Sequence, residues 1–200
     1  MAKIFKKTFS LVLFLFTFYP TSGLAYNDSL VSLTSSYNKV LRKYTKSGSA
    51  YNIDQLNTRF KCYATYHSPE FLETFYKRFA QFYPEGQEGY AEELKNKMTS
   101  PNQAVFFIAL YSEKSGLKRM TGDKNLWDIA LLVKGEVFKP VSVERVLLTP
   151  FEYRFYPYVD KWYHAYRVVF PFDAIQTKTP EMALQISSVA GVSKLNFDNL

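Results

Sequence analysis

Cysteine occurs once, at Cys62, so no intramolecular disulfide can staple this 200-residue chain in any compartment. Histidine occurs twice, at His67 and His164, and no spacing of carboxylates around them suggests a zinc site. Eight glycines leave little room for a phosphate-cradling loop, and neither Gly-x-Ser-x-Gly nor His-Glu-x-x-His occurs. Metal and nucleotide-cofactor chemistry are therefore not expected, and the candidate catalytic set is empty. No stretch beyond residue 25 approaches 18 consecutive apolar residues, so no membrane-spanning helix is expected there.

What the chain does have begins at its start. Lys3, Lys6 and Lys7 precede an apolar run from Phe9 to Phe18, then Pro20 and the small-residue exit Gly23-Leu24-Ala25. That is the three-part layout of a secretory signal peptide, with cleavage expected after Ala25. Ten residues of helix span about 15 Å, half the hydrocarbon thickness of a bilayer, so an uncleaved anchor is the weaker reading. Cleavage removes three lysines and no acid, taking the net charge from +7 to +4. The expected product is exported, to the periplasm or the medium.

The remaining 175 residues suit one domain, residues 26–200, mainly helical over 26–100 and β-rich over 101–200. Aromatic residues make up 18% of the chain, which supplies a core and argues against disorder. Lysine and arginine are spread rather than striped, so no nucleic-acid partner is expected. Their densest local group is Lys114, Lys118, Arg119 and Lys124, read as a solvated connection, with contact to an anionic surface as the alternative.

Periodicity gives the elements. After the capping residues Asn27-Asp28-Ser29, the apolar positions Leu30, Leu33, Tyr37, Val40, Leu41 and Tyr44 share one helix face, and Ser47-Gly48 is read as the stop. Alternation from Arg59 to Tyr66 predicts a strand, with residues 52–58 as a possible helical lead-in. Ser68-Pro69-Glu70 opens a helix presenting Phe71, Phe75 and Phe79, ended by Pro84-Glu85-Gly86, and a shorter helix follows over 88–98. Beyond Thr99-Ser100-Pro101-Asn102 the pattern is β: strands over 104–112, 126–133, 137–148 and 163–172, then a closing hairpin over 182–189 and 192–197. The expected fold class is α+β, with N-terminal helices packed on an antiparallel, immunoglobulin-like β-sandwich. The alternative is a cone-shaped α+β domain with one curved sheet around the helices.

Candidate chemistry is sparse. Cys62 alternates with Phe60 and Ala64 as a small buried hydrophobe, and His67 lies about 16 Å further along an extended strand, too far to act as its base. Glu92 and Glu93 read as a solvated helix face. The richest stretch is Phe151 to Tyr166, read as a long loop, where Arg154, Tyr156, Tyr158, Trp162 and His164 are the ligand-binding candidates. Aromatic faces beside these polar groups suit a sugar, a peptide side chain or a cation. The competing reading makes the same rings plugs at one end of the core. A hydrolase pairing Asp160 with His164 is the catalytic alternative, although no motif places Ser112, Ser115 or Ser142 as its nucleophile.

Several strings carry a likeness. Ala64-Thr65-Tyr66-His67-Ser68-Pro69-Glu70-Phe71, Phe106 to Tyr111, Leu126-Trp127-Asp128 with Pro140, and Phe155-Tyr156-Pro157 before Tyr166 to Phe170 together resemble small exported bacterial proteins of unassigned activity, some of them lipoproteins. The resemblance spans residues 59–172 and implies the order of strands and helices, not a substrate. This chain departs from the lipoprotein members in lacking a cysteine for lipidation. The functional expectation is an exported, soluble, non-catalytic binding or envelope-associated module of unidentified partner. A cell-wall or ester hydrolase and a cationic effector are the alternatives.

Overall fold

The computed structural model describes residues 28–52, 57–83, 88–99, 102–122, 125–172 and 181–198. The expected leader and its expected cleavage point, Asn27, the breaks at Pro84-Glu85-Gly86 and Ser100-Pro101, and Lys124 lie outside them. The chain is mixed α+β, with four helices and two antiparallel sheets among the described residues. No described helix is long and apolar enough to cross a membrane.

Helix α1 (Asp28–Tyr44) runs directly into β1 (Thr45–Asn52), followed by β2 (Asn57–Tyr66), α2 (Pro69–Phe82), α3 (Glu88–Met98) and β3 (Ala104–Ser112). A 3-10 turn (Ser115–Leu117), β4 (Trp127–Val133), β5 (Glu136–Phe138) and β6 (Ser142–Val146) come next. Then follow α4 (Pro150–Phe155), β7 (His164–Phe170), β8 (Met182–Ser188) and β9 (Gly191–Asn196). One sheet has the order β1-β2-β3-β7-β6 and the other β5-β4-β8-β9. The immunoglobulin order, whose first sheet is A-B-E-D, is not the one seen here.

Strand β3 is the hub because both of its faces are covered. Phe106 meets Phe197 at 5.3 Å beyond the four-stranded sheet's last strand, whereas Phe107 lies flat on Tyr156 at 3.8 Å on the helical side. Alternate residues of a strand point to opposite faces, so a strand buried on both sides reads as an unbroken apolar run. Between the sheets, Phe60 meets Trp127 edge-to-face at 4.9 Å, and the Trp127 indole donates to the Leu117 carbonyl at 2.9 Å. On the outer face, Tyr37 of α1 donates to the Phe155 carbonyl of α4 at 2.6 Å, and Phe75 of α2 packs on Phe155 at 4.5 Å. The Arg78 guanidinium rests 4.3 Å above the Tyr37 ring.

Three local readings of the sequence are corrected. Ser47-Gly48 does not end α1; both residues lie inside β1. Gly48 is required there by a neighbour: a Cβ would stand 1.9 Å from Ser193 Oγ and 2.8 Å from Leu195 Cδ2, where β1 crosses β9. The expected strand over 137–148 is two short ones in different sheets, β5 and β6, joined through Lys139-Pro140-Val141. Proline has no amide to donate to a ladder, and pairing stops at Pro140. Finally, the loop expected from Phe151 opens with helix α4.

Helix α4 has a sequence signature after all. Thr149 accepts from the Phe151 amide while Glu152 accepts from the Thr149 amide at 2.8 Å, with Pro150 at the first helical position. This is a capping box. It repeats the logic of Ser68-Pro69, where Ser68 Oγ accepts from the Phe71 amide at 3.1 Å and opens α2 as expected.

Candidate functional site

A cavity of about 400 Å³ lies between the outer face of the five-stranded sheet and helices α2, α3 and α4. Its apolar lining comes from Phe107 of β3, Phe75 of α2, Leu94 and Met98 of α3, and Phe151 of α4. Val146 and Leu147, at the end of β6, close one side. Register explains the convergence: Phe107 faces Thr65 on one side and Arg167 on the other, and Arg167 faces Glu144. One row across β3, β7 and β6 therefore presents an apolar and then two charged groups to the cavity.

His67 and Tyr156 fix the deep end. His67 Nε2 lies 3.1 Å from the Tyr156 hydroxyl, and Nδ1 lies 3.2 Å from the Met98 carbonyl. A carbonyl can only accept, so Nδ1 carries the proton and the tyrosine donates to Nε2. Burial pushes the imidazole down to about 4, with Arg167 adding to the effect. Burial likewise holds the Tyr156 hydroxyl well above its ordinary value. Both groups are neutral near pH 7 and both ring nitrogens are occupied. They join β2, α3 and the segment after α4 and offer no free proton acceptor.

The rim is charged. Glu93 of α3, Glu144 of β6 and Glu152 of α4 border the cavity beside Arg167 of β7. Glu144 accepts from the Ser142 hydroxyl at 2.8 Å and stands 3.9 Å from Arg167. Arg145 also borders the cavity, but its guanidinium reaches His164 Nδ1 at 3.4 Å. Three carboxylates, Glu93, Glu144 and Glu152, against Arg145 and Arg167 leave this rim with an excess of one acid. Its chemistry suits an apolar body carrying a cation.

The residues singled out from sequence do not share one place. Tyr156 is in the cavity. Tyr158 lines a second space of about 370 Å³ beside the end of α1, stacks on Tyr63 at 4.9 Å, and its hydroxyl meets Thr65 Oγ1 at 2.6 Å. Arg154 lies over the Phe82 ring at 4.5 Å on the surface of α4. Trp162 is 64% exposed. His164 pairs with Arg145 rather than Asp160, whose carboxylate accepts the Trp162 amide at 2.8 Å. Burial, Arg145, Lys118 and Arg119 all hold the His164 imidazole below its ordinary value.

Sequence reasoning passed over Phe107, Glu144, Glu152 and Arg167, and read His67 only as too far from Cys62 to act as its base and Glu93 only as part of a solvated helix face. The Thr149-Pro150-Phe151-Glu152 string was a readable signal for Glu152, and His67 just before the Ser68 cap marks a strand-to-helix junction. Nothing local marks Glu144 or Arg167, which meet only through strand pairing. Cys62 lies inside β2 and His67 just beyond its end, and burial pushes the Cys62 thiol up to about 11. Among the described residues, no group of three His, Cys, Asp or Glu side chains is placed to hold a metal ion.

Fold and cavity together define a mixed α+β protein with two antiparallel sheets and a helical layer over one of them. No protein family and no curated protein matches the chain. Among solved structures, a protein of unknown function from Burkholderia pseudomallei K96243 is similar at a TM-score of 0.45, with 11% identity over 87% of this chain and 88% of its own. A likeness at that level says nothing of shared activity.

Proposed function

We propose that the chain is an exported, non-catalytic binding module whose site is the cavity between the five-stranded sheet and helices α2, α3 and α4. Its ligand has an apolar body and a cationic head. The observation that carries this reading is the pairing of an apolar lining, Phe75, Phe107 and Phe151, with the rim of Glu93, Glu144, Glu152 and Arg167. Hydrophobic contact supplies affinity in such a site and the few charged groups orient the ligand. The internal hydrogen bonds of His67 and Tyr156 favour binding over proton transfer. The lysine-rich start, the apolar run and the small-residue exit at Ala25 support reading this module as exported.

Two measurements test the two halves separately. Amide resonances of the protein are followed by NMR during titration with hexylammonium and, in parallel, with hexanoate. Hexylammonium is expected to move residues of α3, β6 and α4 at lower concentration than hexanoate, and Leu94→Trp is expected to abolish the response by filling the cavity. Equal or stronger binding of hexanoate sinks the ligand reading. Fractionation of cells expressing the full chain is expected to give a product beginning at Tyr26 outside the cytoplasm, and retention of the intact chain inside sinks the export reading.

A further inference from the structure

A second cluster of ionic groups lies on the other face of the same sheet, around Tyr166. Arg145 of β6 stands opposite Tyr166 of β7 in the strand pairing, and His164 precedes Tyr166 by two residues on the same face. Arg145 Nη2 meets His164 Nδ1 at 3.4 Å. The Tyr166 hydroxyl donates to the Lys118 carbonyl at 2.9 Å and accepts from the Met120 amide at 3.2 Å. Those two bonds pin the Lys118-Arg119-Met120 backbone to the end of the ring, so the side chains of Lys118 and Arg119 start from a fixed place beside Arg145 and His164.

Among the described residues, no ion pair gives this cluster a counter-charge. The ion pairs among the described residues join Lys43 to Glu70, Lys77 to Glu73, Lys139 to Asp128 and Arg167 to Glu144. None includes Arg145, Lys118 or Arg119. Asp160, in the turn before β7, spends a carboxylate oxygen on the Trp162 amide. From these placements we infer that Arg145, His164, Lys118 and Arg119 form a site for a phosphate oxyanion. The guanidinium fork matches two phosphate oxygens, the two flanking cations neutralise charge, and His164, whose neutral ring accepts from Arg145 at Nδ1 and carries its N–H on Nε2, gains a second N–H and a positive charge once protonated.

A titration consequence distinguishes this site from a merely solvated patch. The neighbouring cations and partial burial disfavour the imidazolium in the free protein. An anion seated among them reverses that balance, because an opposite charge within about 4–6 Å favours the charged form by about 1–3 pH units. Phosphate therefore binds with uptake of a proton at His164, and affinity rises as pH falls. Trp162, exposed and two residues upstream with Lys161 Nζ 4.9 Å from its ring, gives the rim an indole suited to a lipid headgroup layer.

The experiment has two arms, run on the processed protein and on Arg145→Gln. In the first, the His164 ring resonance is titrated at constant ionic strength in chloride and in inorganic phosphate, with buried His67 as the internal control. Phosphate is expected to raise the His164 midpoint by about one unit in the native protein, leave His67 unmoved, and do nothing in Arg145→Gln. In the second arm, sedimentation with phosphatidylglycerol vesicles is compared with phosphatidylcholine vesicles. Binding to the anionic vesicles that is lost in Arg145→Gln identifies a lipid phosphodiester as the source, whereas a response confined to the first arm identifies free phosphate. The inference is overturned if neither arm responds, or if whatever response occurs is unchanged in Arg145→Gln.

Discussion

Replacing Gly48 by alanine tests how the two sheets meet. The added Cβ would sit 1.9 Å from Ser193 Oγ, 2.8 Å from Leu195 Cδ2 and 3.2 Å from Ser193 Cβ. Carbon atoms rest about 3.5–4.0 Å apart at contact, so the overlap with Leu195 alone approaches 1 Å. Ser193 can rotate its hydroxyl away, but Leu195 is buried and has nowhere to go. Overpacking of this kind costs about 1–3 kcal/mol, while alanine's smaller unfolded-state entropy returns about 0.4–1 kcal/mol. The expected net loss is about 1–2 kcal/mol, read as a lower urea midpoint at unchanged slope. Ser193→Gly removes both Ser193 contacts, so the Gly48→Ala/Ser193→Gly pair is expected to be coupled by about 1 kcal/mol. Gly116→Ala, at a position with open space around its Cβ, is the control, expected to lose nothing and to gain up to about 0.4–1 kcal/mol. A Gly48→Ala protein as stable as the native one, or a double variant whose loss is simply the sum of the two singles, refutes the placement of β1 against β9.

Other outcomes follow from the same structure. His67 holds its imidazole near 4 in the fold against an ordinary 6.5, so below pH 6.5 the unfolded chain binds more protons than the native one. Its contribution is complete above about pH 6.5 and is lost as pH falls toward 4, by about 3 kcal/mol in all; urea midpoints that fall no faster than those of His67→Gln contradict this. Cys62, buried with its thiol raised to about 11 and its Sγ 3.5 Å from the Gly48 carbonyl, is expected to resist a thiol reagent at pH 8 until the protein unfolds. Rapid stoichiometric labelling of the native protein would count against that burial. Thr149→Ala removes one half of the α4 capping box and is expected to cost about 1 kcal/mol, with Thr149→Ser restoring most of it; identical thermal midpoints for the three proteins would show that the box does not hold the helix.

Much of the element order was legible because it is written in local chemistry. Ser68-Pro69 announced α2, and the apolar run 104–112 announced a strand, which the structure builds as β3. Strand β1 was missed because Thr45-Lys46-Ser47-Gly48-Ser49 carries no apolar alternation; it is an edge strand whose residues are chosen by what crosses it. The cavity was missed for a related reason. His67, Glu93, Glu144, Glu152 and Arg167 are far apart in the chain, and no string shorter than the fold brings them together.

Local patterning alone thus determined that this chain mixes amphipathic helices with aromatic-rich strands and must hold together without a disulfide. Hydrophobic period, caps and turn residues act over a few positions, and a sequence displays them directly. Tertiary structure decided which strand lies beside which, that β5 and β6 part into different sheets, and that acids from α3, β6 and α4 border one cavity while Arg145 of β6 and His164 of β7 meet on the opposite face. Those outcomes rest on pairing register and sheet packing, where the energy lies in contacts between residues far apart along the chain.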